Sequence, residues 1–437
     1  MPIIILDKYE DCAALLDRRS SVYSGRMRMP MVGELMGWDF HLAGIDYGPV
    51  WKNHRRLMHD SFHPAAAKLF QPLQLKTARK FLASLDKNTE VMPALRRMMS
   101  ETVMTITYGL ELKPEHDPHI EAAEKAVEAL ANVPYAGAFM VDIFPSLKYV
   151  PSWMPGAGFK RKAKGWKALA LDSLNKPFNT LRAEMKKGSV KPSFASISLQ
   201  RVTPEEELYT EENIKHVAGT MYQAGVDTTQ TTIAFCILSL LANPHMIKKI
   251  QAEIDSFTHG SRLPDFEDEE LVPYLKAFIK EALRYWSFIP SPIPRCLAVD
   301  DEYKGYRFPA GSLIMPNTWA ILHNKDVFVD PFTFNPERFI SGDNLKEINA
   351  HYATAWGYGR RICPGRHMAA STVWITLAQI LAVYDLDKAR DKDGRVMEPK
   401  MELSSFGITL AVFPFQCSFI PRSEGAQKLI LSANDDD

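Results

Sequence analysis

With 437 residues and 46% of positions apolar, the chain can bury a large core, which excludes a disulfide miniprotein and a disordered polypeptide. Lys plus Arg and Asp plus Glu number 52 each, and a formal charge of zero argues against a whole-molecule nucleic-acid binder. Five scattered cysteines (Cys12, Cys236, Cys296, Cys363, Cys417) form no C-x-x-C pair, so neither a disulfide framework nor a structural zinc module is expected, and the compartment reads as reducing.

The opening MPIIILDKYEDC falls far short of the roughly 20 apolar residues that cross a bilayer and lacks the basic and apolar regions of a secretory signal. Apolar residues recur at helical spacing among Lys, Arg and Glu over 64–110, 115–132 and 160–187, which predicts surface helices with one face inward. Between the last two, Phe144 to Phe159 carries three prolines and two glycines and reads as a loop. Glu211 to Ala242 predicts a buried helix far longer than the average of about 11–12 residues, running through the middle of the molecule. Asp265 to Tyr285 predicts another helix, ended by Pro290, Pro292 and Pro294. Leu297 to Leu313 and Lys400 to Pro421 alternate like strands, with a turn at Tyr303-Lys304-Gly305. No repeat and no low-complexity linker divides the chain. The expectation is therefore one mainly helical α+β domain over 1–437, with a polar, disordered tail over 423–437.

The sharpest segment is Trp356-Gly-Tyr-Gly-Arg-Arg-Ile-Cys-Pro-Gly-Arg-His367. As a dinucleotide fingerprint it is weak, because Ile362 stands where a third glycine belongs. Cys363 and His367 could share a metal, but no second pair completes a ligand set. A buried core cysteine is the plain alternative. Against it, Gly357, Gly359 and Gly365 allow a sharp turn around the sulfur, and Pro364 precedes an apolar helical stretch from Met368 to Leu386. The helix N-terminus and Arg360, Arg361 and Arg366 favour a thiolate, which can bind iron, and amides beyond Pro364 could hydrogen-bond the sulfur.

This segment resembles the cysteine box of the cytochrome P450 family, the haem-thiolate monooxygenases: Trp356, Gly359, Arg361, Cys363 and Gly365 match, with Trp where the family usually has Phe. Further motifs follow in the family's order along nearly the whole chain. Ala224-Gly-Val-Asp-Thr-Thr229 resembles the oxygen-binding motif, whose acid and alcohol relay protons, and implies that role for Asp227 and Thr228. Independently of the family, Thr228 can turn its hydroxyl onto the carbonyl of Ala224, while Asp227 is costly in an apolar helix unless paired. Standing alone, this stretch would read as a Thr-rich helix face. Glu281-x-x-Arg284 lies on one helix face and taken alone is an ordinary ion pair. With Asn335-Pro-Glu-Arg-Phe339, which resembles the family's PERF element, it implies a structural Glu281, Arg284, Arg338 network. Trp51-x-x-x-Arg55, otherwise a packed Trp beside a basic run, matches the pair that contacts the haem propionates. Arg361 and Arg295 match further positions for that task. Phe288, Ile289, Ile293, Phe406, Ile408 and Ala224 match pocket positions, and being apolar they imply a lipophilic substrate.

The resemblance thus implies haem b held by Cys363 as axial ligand, with Trp51, Arg55, Arg295, Arg361, Gly359 and Gly365 around it. The implied activity is insertion of one oxygen atom from O2 into a lipophilic molecule, in fungal secondary metabolism or xenobiotic oxidation. With no flavin or nicotinamide motif, electrons are expected from an NADPH-dependent reductase, docked on Lys52, Arg56, Arg360 and Arg366 or unrelated to those solvated arginines. A monomer is expected. Two rivals stand beside this reading: a reductase-independent haem-thiolate isomerase or dehydratase, and an inactive, haem-poor chain. The family's membrane helix, hinge and first elements do not precede residue 1, so the chain reads either as a shortened product or as a natural form. The family's usual place is the cytosolic face of the endoplasmic reticulum, whereas the chain itself shows no anchor.

Overall fold

The computed structural model describes residues 1–113, 116–133, 137–406 and 409–433, together with the backbone but not the side chain of Phe406. Its axis is the helix Glu211–Ala242, 32 residues long. Thr210 starts it, accepting a hydrogen bond from the Asn213 amide at 3.1 Å, with Glu211 and Glu212 in the positive first turn. Asn243 and Pro244 end it, the latter opening the next helix, Pro244–Thr258. From Ile233 to Leu241 every residue is buried, so the stretch is apolar all round because neighbours cover every face. It is long and apolar enough to cross a membrane by composition, yet 78% of that window lies inside the fold.

Around this rod pack Val91–Tyr108, Gly158–Lys187, Pro273–Trp286 and Arg366–Val383. Gly219 shows why small residues are needed where helices approach: a Cβ there would stand 2.5 Å from Leu174 Cδ1 of Gly158–Lys187. Trp286 is fixed to the rod twice, by stacking on Phe235 with ring centres 5.2 Å apart and by donating from Nε1 to Ser239 Oγ at 2.9 Å.

The strands are peripheral. Ile3–Leu6 runs parallel to Leu313–Pro316, with Ile3 opposite Leu313, and Arg295–Cys296 pairs antiparallel on the far side of that strand. Thr89–Glu90 and Tyr384–Lys388 flank Gln416–Pro421. Asp301–Tyr303 and Tyr306–Phe308 form a hairpin at the expected turn, where Lys304 and Gly305 have φ of 52° and 79°. Leu403–Phe406 pairs with Thr409–Val412.

Several expectations require correction. The helical pattern over 64–110 is three helices and a turn, because the chain reverses after Leu82 and adds the strand Thr89–Glu90 before Val91–Tyr108 begins. The stretch 265–285 starts as a separate 3-10 turn, Phe266–Leu271, capped by Asp265. The apolar stretch after Pro364 is helical from Arg366 to Val383 and then becomes a strand. The tail is not disordered from 423: Ser423 accepts from the Ala426 amide and Glu424–Ser432 is a helix that buries Ala426 and Ile430. Its polar composition hides two apolar positions four residues apart, enough for one face.

Candidate active site

The segment before Cys363 is a sequence of tight turns. Gly357 and Gly359 have φ of 89° and 48°, and a Cβ at Gly359 would lie 2.1 Å from the carbonyl oxygen of Leu16, so only glycine fits. Its amide donates to Asp17 Oδ1. Cys363 donates its own amide to the Trp356 carbonyl at 2.8 Å, closing the loop. Burial pushes the Cys363 thiol up. The amides of Gly365 and Arg366, hydrogen-bonded to the sulfur, and the charges of Arg55 and Arg366 pull it back toward the thiolate. Gly365 has no positive φ, and a Cβ on it would meet no protein atom, so its bare backbone leaves room beside the sulfur.

Cys363 forms part of the wall of an internal cavity of about 380 Å³. Trp51, Arg55, Trp356, Gly357, Arg361 and Gly365 share that wall, as do Ala224, Thr228, Phe288, Ile289 and Ile293. The structure thereby brings together residues more than 300 positions apart. Arg55 donates to the Ile362 carbonyl at 2.6 Å, tying its helix, Pro49–Phe62, to the cysteine loop. Arg361 lies over the Trp51 ring at 4.6 Å and donates to the carbonyls of Ser24, Leu42 and Ile45.

Arg26 and His41, which no spacing relation in the sequence ties to the cysteine box, complete this wall. Arg26 donates to the carbonyls of Ala43, Ile293 and Pro294, and burial followed by repulsion from Arg361 and Arg295 holds its basicity well down. Burial, with Arg295 and Arg55 nearby, brings Arg361 to about 9. Among the described residues no carboxylate lines the cavity, and Trp51 Nε1 is buried without a partner. Three guanidiniums and an orphaned indole N–H beside an enclosed sulfur fit a flat guest that brings its own anions, as a haem with two propionates does. Cys363 would hold its iron, and Trp51, Arg55, Arg361 and Arg26 would face its carboxylates.

Arg295 stands elsewhere. Its buried guanidinium donates to the carbonyl of Tyr358 at 2.6 Å, and to those of Leu16 and Tyr23 at 3.3 and 3.5 Å, beneath the cysteine loop and away from the cavity wall. Arg295 is thus not part of the cavity wall, and its donation to the Tyr358 carbonyl braces the backbone that carries Gly359.

The acid and the alcohol of the long helix also separate. Thr228 lines the cavity and its Oγ1 donates to the Ala224 carbonyl at 2.7 Å. Asp227, one position earlier, is turned some 100° around the helix and accepts from Arg96 Nη2 at 2.7 Å and Gln230 Nε2 at 3.2 Å. Burial raises the Asp227 carboxyl, and Arg96 opposes the rise. It faces a small crevice toward Glu124 rather than the main cavity.

Glu281, Arg284 and Arg338 do meet. Arg284 is bidentate to Glu281 at 2.7 and 2.8 Å, while Arg338 Nε at 3.3 Å and the Asn335 amide at 2.8 Å reach the same carboxylate. Arg284 and Arg338 then donate onward to carbonyls of Leu322, Val329 and Thr333, stitching Pro273–Trp286 to the Asn335–Phe339 segment. Ile408 and the Phe406 side chain lie outside the described residues.

The family model described as Cytochrome P450 matches residues 1–414. A cytochrome P450 monooxygenase of Armillaria gallica is 39% identical over 98% of this chain and 84% of its own length. The tryptamine 4-monooxygenase of Psilocybe cyanescens is 37% identical, covering 98% and 85%. A zebra fish cytochrome P450 solved with abiraterone superposes with a TM-score of 0.76 at 22% identity, over 96% of this chain and 93% of that one. The chain belongs to the cytochrome P450 family. It is a haem-thiolate monooxygenase of fungal type, in which haem iron supplies the dioxygen chemistry.

Proposed function

We propose that the chain hydroxylates or otherwise oxidises a lipophilic small molecule in fungal secondary metabolism, with electrons passed from NADPH by a separate reductase. For a substrate RH the balance is RH + O2 + NADPH + H+ giving ROH + H2O + NADP+. The observation that carries this reading is the placing of the Cys363 sulfur and the Thr228 hydroxyl on the wall of one apolar cavity. Phe288, Ile289 and Ile293 supply a surface that excludes water and takes hydrocarbon. Thr228, bonded back to the Ala224 carbonyl, keeps a hydroxyl at the cavity, and Asp227, some 100° around the helix and paired with Arg96, would carry the next proton of the relay on its carboxyl.

Exposed Lys52, Arg56 and Arg360, near the loop that bears Cys363, suit docking of an acidic reductase surface; Arg366 is partly buried and donates to the Cys363 carbonyl at 3.0 Å. A reductase partner places the working enzyme at the membrane where that reductase resides, acting as a monomer. A reductase-independent isomerase would have no use for the hydroxyl of Thr228 at the cavity. The P. cyanescens relative is named for tryptamine, whose indole the apolar wall could take but whose ammonium meets no carboxylate there among the described residues.

The test is the reduced, carbon-monoxide-bound spectrum of the purified protein. Cys363→Ala removes the red-shifted Soret band of a thiolate-ligated haem, while Cys236→Ala, in the buried heart of the long helix, keeps it. A red-shifted band surviving in the first variant would refute the ligand assignment.

A further inference from the structure

The loop that carries Cys363 is held at two points by distant segments. Arg55 donates to the carbonyl of Ile362, the residue before the cysteine, at 2.6 Å. At the other end of the turn, Asp17 Oδ1 accepts the amide of Gly359, whose own carbonyl takes the Ile362 amide at 3.1 Å. Among the described residues Asp17 is the one side-chain carboxylate hydrogen-bonded to residues 356–366. A bond to a charged acceptor is stronger than one between neutral groups, so this contact governs how the peptide between Tyr358 and Gly359 faces, and with it where the turn leading to Cys363 begins.

Asp17 reaches the loop from an unusual piece of backbone. Ala13–Arg18 is wound as a π-helix, a rare form that recurs at functional sites. Its Leu16 carbonyl meets Gly359 so closely that no Cβ fits between them. Arg295 joins the same two segments, donating to the Leu16 and Tyr358 carbonyls. Asp301 ties down the residues that follow Asp17, accepting from Arg19 at 2.7 Å and from the Tyr23 hydroxyl at 2.8 Å. Asp17 itself lies at the surface and does not line the cavity, so whatever it does to the sulfur passes through the loop.

We infer that Asp17 is a positioning residue for the iron's ligand: by accepting the Gly359 amide it fixes the turn that keeps the Cys363 sulfur on the iron as a thiolate. The inference rests on Cys363 as axial ligand and on nothing about the substrate or the reductase.

The test is a urea titration of the haem-loaded, carbon-monoxide-bound protein, which follows the red-shifted Soret band of thiolate ligation as it gives way to the band at shorter wavelength left when that ligation is lost. At a given urea concentration Asp17→Ala should raise the equilibrium constant for this loss about fivefold, the worth of one hydrogen bond that water can partly replace. Asp17→Asn keeps an oxygen acceptor in the same place and should stay within about twofold of the parent. Asp17→Glu keeps the charge but displaces the oxygen, and should raise the constant about threefold; it decides the matter if the alanine variant loads no haem. Asp301→Ala cuts the Arg19 and Tyr23 anchors of the same segment without touching Gly359, and should stay within about twofold. A general loosening of the segment would instead make it act like Asp17→Ala. Deuterium exchange at the Gly359 amide should quicken about fivefold in Asp17→Ala and hold its parent rate in Asp17→Asn. The inference is overturned if Asp17→Ala and Asp17→Glu leave the constant unmoved, if Asp17→Asn matches Asp17→Ala, or if Asp301→Ala does. A parent protein without the red-shifted band would defeat the ligand assignment and this inference with it, whereas a parent band that Asp17→Ala leaves equally stable defeats the inference alone.

Discussion

Asp227 and Arg96 form a 2.7 Å ion pair that ties the middle of the long helix to Val91–Tyr108, some 100° around the rod from Thr228. Each side chain is about one-third exposed or less, at 33% for Arg96 and 27% for Asp227. Because burial raises this carboxyl, its acid form is favoured in the fold, and the stabilisation due to protonation fades as pH rises through the folded value. Replacing Arg96 removes the charge that opposes the rise. Arg96→Met should therefore be nearly neutral at pH 4 and destabilise by about 1–2 kcal/mol at pH 7, discounted for partial exposure. Denaturant unfolding of both proteins across that range checks it; a pH-independent difference would show that the pair's charge is not what matters.

Thr228 has its hydroxyl on the cavity and its shape within a regular helix. Thr228→Ala should keep haem and fold but send a larger share of reducing equivalents to hydrogen peroxide, because the proton-bearing hydroxyl is gone. Product formed per NADPH oxidised is the measurement, and an unchanged ratio counts against the relay.

Glu281 has no exposed surface and accepts from Arg284, Arg338 and the Asn335 amide. Glu281→Gln leaves two buried guanidiniums facing a neutral amide, which should destabilise by about 3–5 kcal/mol, as breaking a buried pair does. The yield of folded, haem-loaded protein should fall with it. Thermal unfolding within a degree of the parent would contradict the network's structural weight.

His54 sits at 1% exposure with both ring nitrogens unpartnered, edge-on to His216 at 5.8 Å. Burial, then the neighbouring His216, brings it to about 4, against weak support from Asn213 and Glu212 of the long helix. A histidine held below its unfolded value contributes stability above that value and loses it as pH falls toward the folded one. His54→Phe should then stabilise by about 1 kcal/mol at pH 7, since no hydrogen bond is lost, and should lessen the loss of stability between pH 6.5 and 4. Acid unfolding profiles that superpose would exclude His54 as a source of that sensitivity.

Much of the site is written in local sequence. The glycine turn around Cys363, the long apolar helix and the i, i+3 spacing of Glu281 and Arg284 are short-range facts, because sterics and helix periodicity act over a few residues. The back-bond from Thr228 to Ala224 belongs with them, being a property of a hydroxyl four residues along any helix.

Tertiary packing alone decided the rest. Which way Asp227 points depends on Arg96, 131 positions away, and Arg295 turns from the cavity because Leu16, Tyr23 and Tyr358 offer it carbonyls first. Arg26 and His41 reach the cavity wall through chain crossings that no spacing rule encodes. Helix periods and turn sterics are short-ranged, so the residues set them. Charge compensation and the company kept by a buried polar atom depend on whatever distant segment the fold brings alongside.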